Sequence, residues 1–536
     1  MWSGVRIPPG VLNCNLPLLH KFLPQCITSG VKITNPTVKE LVRHYREISL
    51  LGRIKATLDW DLNVNLPPKA SEGRAQQSAY LTDLTTKLWL NEDFRKNVEK
   101  ANSLTGKLSD EEKAIIRNVN FAGKYYFNVP RELIIEKEEV ASKGFMAWKE
   151  AKDKNNYSIF LPSLKELFRL DQIIASHLKY DKNPYDALLN MFEPELTAAK
   201  AKKAFDAIKP DLIKLVKQVQ KSKEYLSESP FFANIDYSRT QQTLLIKSVM
   251  RKMGFDFQAG RLDVSPHPFT TGLDRYDVRV TTMYHDNDFR TSYTSTMHET
   301  GHALYELGIN PDYSATPLEG GVSYGIHEAL SRFWENMVGR NPAFLTYMTP
   351  LFQSFFPDQL SNTNEIQLAR LINLVKPSFV RIEADEITYS LHIILRFEME
   401  NELLNGKIDL KDAPEVWREK SKEYFGIAPD KDSEGILQDV HWSYGAIGYF
   451  PSYALGNLYG AQLLNAMKKE INFETELERG NLLTIKGWLD QNVHRFGSLY
   501  FPNDLIKNAT GEELNPTYFI EYLKNKYSSL YPSQKS

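Results

Sequence analysis

Met297-His298-Glu299-Thr300-Gly301-His302-Ala303-Leu304-Tyr305-Glu306 carries two histidines four residues apart, with a glutamate directly after the first. On a helix, positions i and i+4 share a face with Cβ atoms roughly 6 Å apart, which lets two imidazoles meet one Zn2+ at about 2 Å. Glu299 points about 100° away from His298. It therefore flanks a metal instead of capping it, and can take a proton from a water held there. The flanks predict a helix: Ser292 or Thr294 can cap its start, Leu304 and Leu307 give it an apolar side, and Gly308 stands where a C-terminal glycine belongs. Two ordinary histidines on an amphipathic helix fit the same five residues, so a third ligand has to carry the distinction.

A catalytic zinc site takes three protein ligands and keeps one position open. The next helical pattern, Gly325 to Asn336, has a buried stripe of Ile326, Leu330, Phe333, Trp334 and Met337, and Glu328 falls just off it. Carried by the helix after a Gly320-Gly321 turn, Glu328 is the candidate third ligand, with its neighbour His327 as the rival. The same region contains Gly321-Val322-Ser323-Tyr324-Gly325, which satisfies Gly-x-Ser-x-Gly and would make Ser323 a nucleophile. That elbow needs an apolar strand running into it, and residues 312–320 contain Pro317 and no such run.

The surroundings are those of a soluble globular chain of 536 residues, 42% hydrophobic and 25% charged. With 65 Lys and Arg against 67 Asp and Glu, the formal charge of −2 gives no bulk attraction for nucleic acid or an anionic membrane. No window approaches 18 consecutive apolar residues, so no membrane span is expected. Both cysteines, Cys14 and Cys26, precede residue 30, so a metal in the body must use histidine and carboxylate. This fits a cytoplasmic protein. Residues 1–35 read as an extension outside the domain: no acid precedes Glu40, and Pro8, Pro9, Pro17 and Pro24 break any helix. It is not a secretory leader, and either an organellar leader or a start codon placed too far upstream fits. With no linker in the rest, residues 36–533 are expected to form one domain.

From about Val38 the pattern is helical, stopping at Leu66-Pro67-Pro68. Apolar stripes of period 3.6 predict helices over Ala75–Leu90, Asp110–Ala122, Arg131–Lys152, Leu164–His177, Pro194–Lys221 and Gln241–Met253, then Ile366–Leu374, Glu383–Leu404, Pro414–Phe425 and Ala454–Met467. Gly272 to Met283 alternates, with Tyr276, Val278 and Val280 on one side, and reads as one strand that could hold an extended peptide by strand addition. The fold class is therefore mainly α, with a small β element beside the zinc helix.

Several motifs in order resemble the carboxypeptidase Taq family, also called thermostable carboxypeptidase 1, zinc peptidases that trim C-terminal residues. The likeness runs from about Val38 to the C-terminus. Besides His298-Glu299-Thr300-Gly301-His302 it rests on Asp277-Val278-Arg279-Val280-Thr281, on Val380-Arg381-Ile382-Glu383-Ala384-Asp385 and on Gly435-Ile436-Leu437-Gln438-Asp439-Val440-His441-Trp442. Leu58-Asp59-Trp60-Asp61 with Pro67-Pro68, His267-Pro268-Phe269-Thr270 and Gly448-Tyr449-Phe450-Pro451-Ser452-Tyr453 match as well. Two departures stand out. Ala329-Leu330 replaces the family's Ser or Gly followed by Gln, which is expected to remove a polar contact near Glu328, and Val380 stands where Ile is usual.

The resemblance implies a large helical peptidase body with a deep active-site cleft, like that of the angiotensin-converting-enzyme and neurolysin-like peptidases, one Zn2+ per chain with Co2+ as a substitute, peptide substrates of broad specificity, and a homodimer. Under that reading Zn2+ on His298, His302 and Glu328 activates water, and Glu299 is the base. A guanidinium must hold the substrate α-carboxylate; Arg381 is the first choice and Arg279 the second, although either fits a structural ion pair. His267, His441 and Tyr449 or Tyr453 are candidate donors to the oxyanion. An endo-acting oligopeptidase on the same metal core, or a helical scaffold with a vestigial site, remains as a rival.

Overall fold

The structure is a computed structural model that describes residues 30–225 and 236–532. Cys14 and Cys26 and most of the expected 1–35 extension lie outside the described residues. The described chain is mainly helical, with one three-stranded sheet. Helix starts are written in the sequence as caps. Asn35, Asn183 and Asn341 each precede a proline and each accept a hydrogen bond from the backbone N–H two residues on. Ser109 and Glu112 close a capping box, and Glu112 also receives the N–H groups of Thr34 and Asn35, tying the helix Asp110–Asn128 to the start of Pro36–Val64. One cluster of buried side chains runs from Val38 to Tyr531, with a smaller one around Trp89 and Phe94.

The predicted helices form, with shifted ends. Pro194 lies outside any helix: Phe192 ends one, Glu195 takes a left-handed φ of 67°, and Thr197 caps the next, Ala198–Gln220. The helix expected from Glu383 begins at Glu386, because Asp385 accepts from the N–H groups of Ile387 and Thr388. The helix with the two histidines spans Phe289–Gly308 and is capped by Asp288, not by Ser292 or Thr294, which are buried inside it.

The stretch read as a single strand is a hairpin. Strands β1 (Gly260–Val264), β2 (Thr270–Asp274) and β3 (Asp277–Thr282) are arranged β1-β3-β2, with β1 parallel and β2 antiparallel to β3. Arg275 and Tyr276 make the turn, so Tyr276 is 66% exposed and does not share the face of Val278 and Val280. A two-residue turn preserves a period of two, which is why alternation alone did not see it. Since β3 is paired along both edges, strand addition cannot occur on it.

Glycine decides how closely three helices approach. A Cβ at Gly301 of Phe289–Gly308 would lie 2.8 Å from the Leu330 carbonyl oxygen of the helix Tyr324–Arg332. A Cβ at Gly456, on the helix Pro451–Met467, would lie 2.6 Å from Cγ of Glu328. The Glu328 helix is thus wedged between two neighbours at contact distance, and Phe333–Gly339 continues it as a π-helical segment.

Candidate metal centre

His298 and His302 extend from one face of Phe289–Gly308 with their rings 4.9 Å apart and nearly perpendicular. Glu328 reaches them from the neighbouring helix: its Oε2 lies 3.6 Å from His298 Nε2 and 3.7 Å from His302 Nε2. Two bonds of about 2.1 Å at a tetrahedral angle put donor atoms about 3.4 Å apart. The three side chains each offer a donor atom, all within 4.8 Å of one another, so the donor set fits a divalent metal.

Each imidazole turns its other nitrogen to a separate partner. His298 Nδ1 lies 3.0 Å from Glu335 Oε2, and Glu335 also receives Arg332 and Arg340. Burial opposes the Glu335 charge, but Arg332, the His298 bond and Arg340 outweigh it and hold the carboxyl far below its usual range. His302 Nδ1 lies 2.7 Å from His327 Nδ1, and His327 Nε2 lies 2.7 Å from Glu306 Oε1. His327, the rival third ligand, therefore stands behind His302 and outside the donor cluster. Burial, with the nearby His327, His298 and Arg332, keeps His302 well below the usual histidine range, in the neutral form that binds metals.

Arg332 donates to the Glu328 oxygen that faces away from the histidines, at 2.8 Å, and its guanidinium lies 3.8 Å above the Tyr389 ring. Ala329 and Leu330 are fully buried between helices, so these replacements face packed neighbours. Ser331, one residue on, donates to the Glu328 backbone carbonyl at 2.8 Å and reaches Oε2 at 3.3 Å.

Glu299 is buried beside the cluster, and the Thr270 hydroxyl lies 2.8 Å from both its Oε2 and its carbonyl. Burial raises its carboxyl against the pull of His298 and Thr270. A raised carboxyl is suited to proton transfer near neutral pH.

The other candidates divide. Arg381 is buried, gives two hydrogen bonds to Asp439 Oδ1 at 3.0 and 2.8 Å and one to the Tyr389 hydroxyl at 3.3 Å. Asp439 also takes Arg396 at 2.7 Å. Burial works against the Asp439 charge, and the two arginines override it, holding the carboxyl far below its usual range. His441 follows two residues later, with Nε2 3.3 Å from the Tyr453 hydroxyl and Nδ1 without a hydrogen-bond partner among the described residues. Burial pushes His441 down to about 4, helped by Arg381 and Arg396 and opposed by Asp439. Tyr449 packs on His441, Tyr453, Tyr324 and Phe192. Burial and the charge of Glu328 raise the hydroxyls of Tyr449 and Tyr453, so both stay donors.

Arg279 and His267 stand apart from this group. Arg279 grips Asp277 through two bonds and lies 4.3 Å over Trp60. Its neighbours in β3 face the histidine helix, Thr282 bonding Thr296, so alternation turns Arg279 the other way. His267 is exposed in the loop before β2. Ser323 caps its helix by accepting from Ile326 N–H at 3.1 Å, and the same helix end rests on the buried Glu193, which takes Gly325 N–H. Thr270, Asp439 and Gly301 stand in motifs quoted from the sequence without a role of their own, and Glu335 and Gly456 are not singled out there at all. For Glu335 a signal existed, since it lies two turns beyond Glu328.

With this geometry in hand, the relatives decide what the chain is. Residues 40–527 match the family described as Carboxypeptidase Taq (M32) metallopeptidase. The chain belongs to that family. As a family member it is an enzyme of the metallocarboxypeptidase class, a peptide hydrolase. It is 39% identical to thermostable carboxypeptidase 1 of Pyrococcus furiosus over 495 residues, covering 92% of this chain and 99% of that one. It is 40% identical to carboxypeptidase 1 of Bacillus subtilis, covering 92% and 98%. The solved Pyrococcus furiosus carboxypeptidase superposes with a TM-score of 0.89 over 92% of this chain and 99% of its own. The M32 carboxypeptidase of Deinococcus radiodurans, 33% identical, gives 0.89 over 93% and 100%.

Proposed function

We propose that this carboxypeptidase removes C-terminal residues from peptides with broad specificity, using one zinc ion held by His298, His302 and Glu328, with cobalt able to replace it. What supports this reading is the convergence of two Nε2 atoms and a carboxylate oxygen, with the outer nitrogen of each imidazole already bonded elsewhere. Such an ion supplies Lewis acidity: it brings the pKa of water toward about 7 and polarises the scissile carbonyl.

Glu299 takes the proton of the attacking water and returns it to the leaving amine, with Thr270 fixing its carboxylate. His441, neutral at pH 7, and the hydroxyls of Tyr449 and Tyr453 are the donors for the developing oxyanion. Arg381 holds the substrate carboxylate, with Arg279 and His267 as the alternatives. Of the five N–H groups of a guanidinium, three are engaged by Asp439 and Tyr389, which leaves two for a ligand. We read 36–533 as one domain and the enzyme as a cytoplasmic homodimer. Among the described residues no helix is long and apolar enough to cross a membrane.

The test is mass spectrometry of matched free-acid and C-terminally amidated peptides after incubation, with and without a chelator. Stepwise loss of C-terminal residues from the free acids alone, abolished by chelation and restored by Zn2+ or Co2+, is the expected result. Internal cleavage of the amidated peptides points to the endo-acting rival, and purified protein without stoichiometric metal points to a vestigial site. Light scattering checks the dimer by its mass.

A further inference from the structure

Resting on the metal reading above, we infer that His327 and Glu306 form a relay that fixes the tautomer of His302 and thereby sets how tightly the metal is held. The proton positions follow from the distances. With Nε2 turned to the metal, His302 keeps its proton on Nδ1, which lies 2.7 Å from His327 Nδ1, with the His327 backbone also within hydrogen-bond reach of the ring. His327 Nδ1 must then be the acceptor, so its own proton sits on Nε2, where Glu306 Oε1 takes it at 2.7 Å. One arrangement satisfies all three groups.

Removing the acceptor at Glu306 frees His327 to carry its proton on Nδ1. Two N–H groups would then oppose each other across the shared 2.7 Å, which favours moving the His302 proton to Nε2, the atom the metal needs, or turning the ring toward the His327 backbone and away from the metal. The relay therefore opposes the wrong tautomer of His302 through His327, 25 residues on and carried by the neighbouring helix, which is held in turn by Glu306, one turn along His302's own helix.

His298 is wired otherwise. Its partner Glu335 contacts it directly and is itself held by two arginines in a dry setting, the carboxylate side chain being 10% exposed. Glu306 is half-buried and opens on a polar pocket of 250 Å³ bounded by Arg53, Asp274, Arg275, Ser314 and Glu319. A substitution at Glu306 is thus accommodated at a pocket wall and does not have to be packed into a core.

The experiment compares zinc dissociation constants, measured by chelator competition, and the visible spectrum of the cobalt form, for the full chain and for Glu306→Leu, Glu306→Gln and His327→Phe. Glu306→Leu and His327→Phe should each weaken binding about 10- to 100-fold, the size seen when a ligand's outer partner is lost, and shift the cobalt bands. Glu306→Gln keeps an oxygen to accept from His327 and should stay within about 3-fold of the parent, a rescue that loss of packing would not produce. Metal-free melting temperatures and circular dichroism check that the variants fold. Parent protein that binds metal while Glu306→Leu matches its affinity and spectrum overturns the relay alone. If Glu306→Gln falls as far as Glu306→Leu, the tautomer argument is overturned. Parent protein without stoichiometric metal overturns the metal reading itself.

Discussion

Two buried charge clusters adjoin Tyr389, one through Arg332 over its ring and the other through Arg381 at its hydroxyl, and they are built in opposite senses. Around the histidine pair, Glu299, Glu328 and Glu335 stand against Arg332 and Arg340, three carboxylates to two guanidiniums, which leaves one negative charge once both imidazoles are in the neutral form that metal binding requires. Around Asp439, two guanidiniums, Arg381 and Arg396, stand against one carboxylate, which leaves one positive charge. Burying an isolated charge is costly, so each residue of unbalanced charge is matched to something that arrives from outside. A dication suits the first cluster and a peptide carboxylate the second. Under the proposed function, the metal and the substrate anchor are separated by the sign of the charge each cluster leaves uncompensated.

The strongest way to break that division is Glu299→Gln. It removes one carboxylate from the negative cluster without touching the three donors, so metal content should remain at the parent level. Turnover should fall by at least about 10²- to 10⁴-fold, the range for losing a positioned base. Steady-state kinetics and metal analysis on the same preparation check both halves. Appreciable turnover in a metal-loaded variant removes Glu299 from the mechanism.

Asp439→Asn attacks the other cluster. It leaves two buried guanidiniums without a counter-charge, and breaking one side of such a group costs about 3–5 kcal/mol. A drop of that order in denaturant-derived stability is expected, with zinc affinity unchanged because the donors belong to other helices. A stable variant would mean that Arg381 and Arg396 find water or another partner, and the account of the positive cluster would be wrong.

The same contrast explains what could be read from the chain before its structure. His298, Glu299 and His302 lie within five residues, and the period of one helix places them. Glu328 sits on the next predicted helix, so a local pattern again sufficed. The positive cluster joins positions 381, 396 and 439 through three different elements, and no periodicity links them; two separate family motifs contain Arg381 and Asp439, but nothing in the sequence pairs them. Ends of elements failed for a local reason. Asp288 and Asp385 were stronger caps than the residues chosen from the apolar pattern, and the two-residue turn at Arg275-Tyr276 hid a hairpin inside an unbroken alternation. Close approaches such as Gly456 against Glu328 concern partners 128 residues apart, where a glycine in a helix reads only as a weak spot.

Gly456→Ala perturbs the negative cluster through packing alone. The added methyl would sit 2.6 to 3.0 Å from Cγ, Cβ and the backbone carbonyl carbon of Glu328. Those contacts are too short to persist, and overpacking of this kind costs about 1–3 kcal/mol. The strain falls on the third donor, so zinc should bind less tightly while the positive cluster is untouched. Chelator competition measures this; unchanged affinity would show that the Pro451–Met467 helix yields and Glu328 does not.

His441 sits beside the positive cluster, and its titration reports its burial there together with the charges of Asp439, Arg381 and Arg396. Burial, with Arg381 and Arg396 adding to it and Asp439 opposing, pushes the imidazole down to about 4, whereas an unfolded chain titrates near 6.5. Between those values the unfolded state binds more protons than the folded one, so stability falls as pH falls. The contribution is complete above about 6.5 and is lost progressively down to about 4. His441→Gln removes this titration, so its melting temperature should decline less steeply than the parent's from pH 6.5 to 4, with no titration-linked difference between the two slopes above pH 7. Parallel curves across the whole range would mean that His441 is not held below its ordinary range, so that neither its burial nor the two arginines act on it as described.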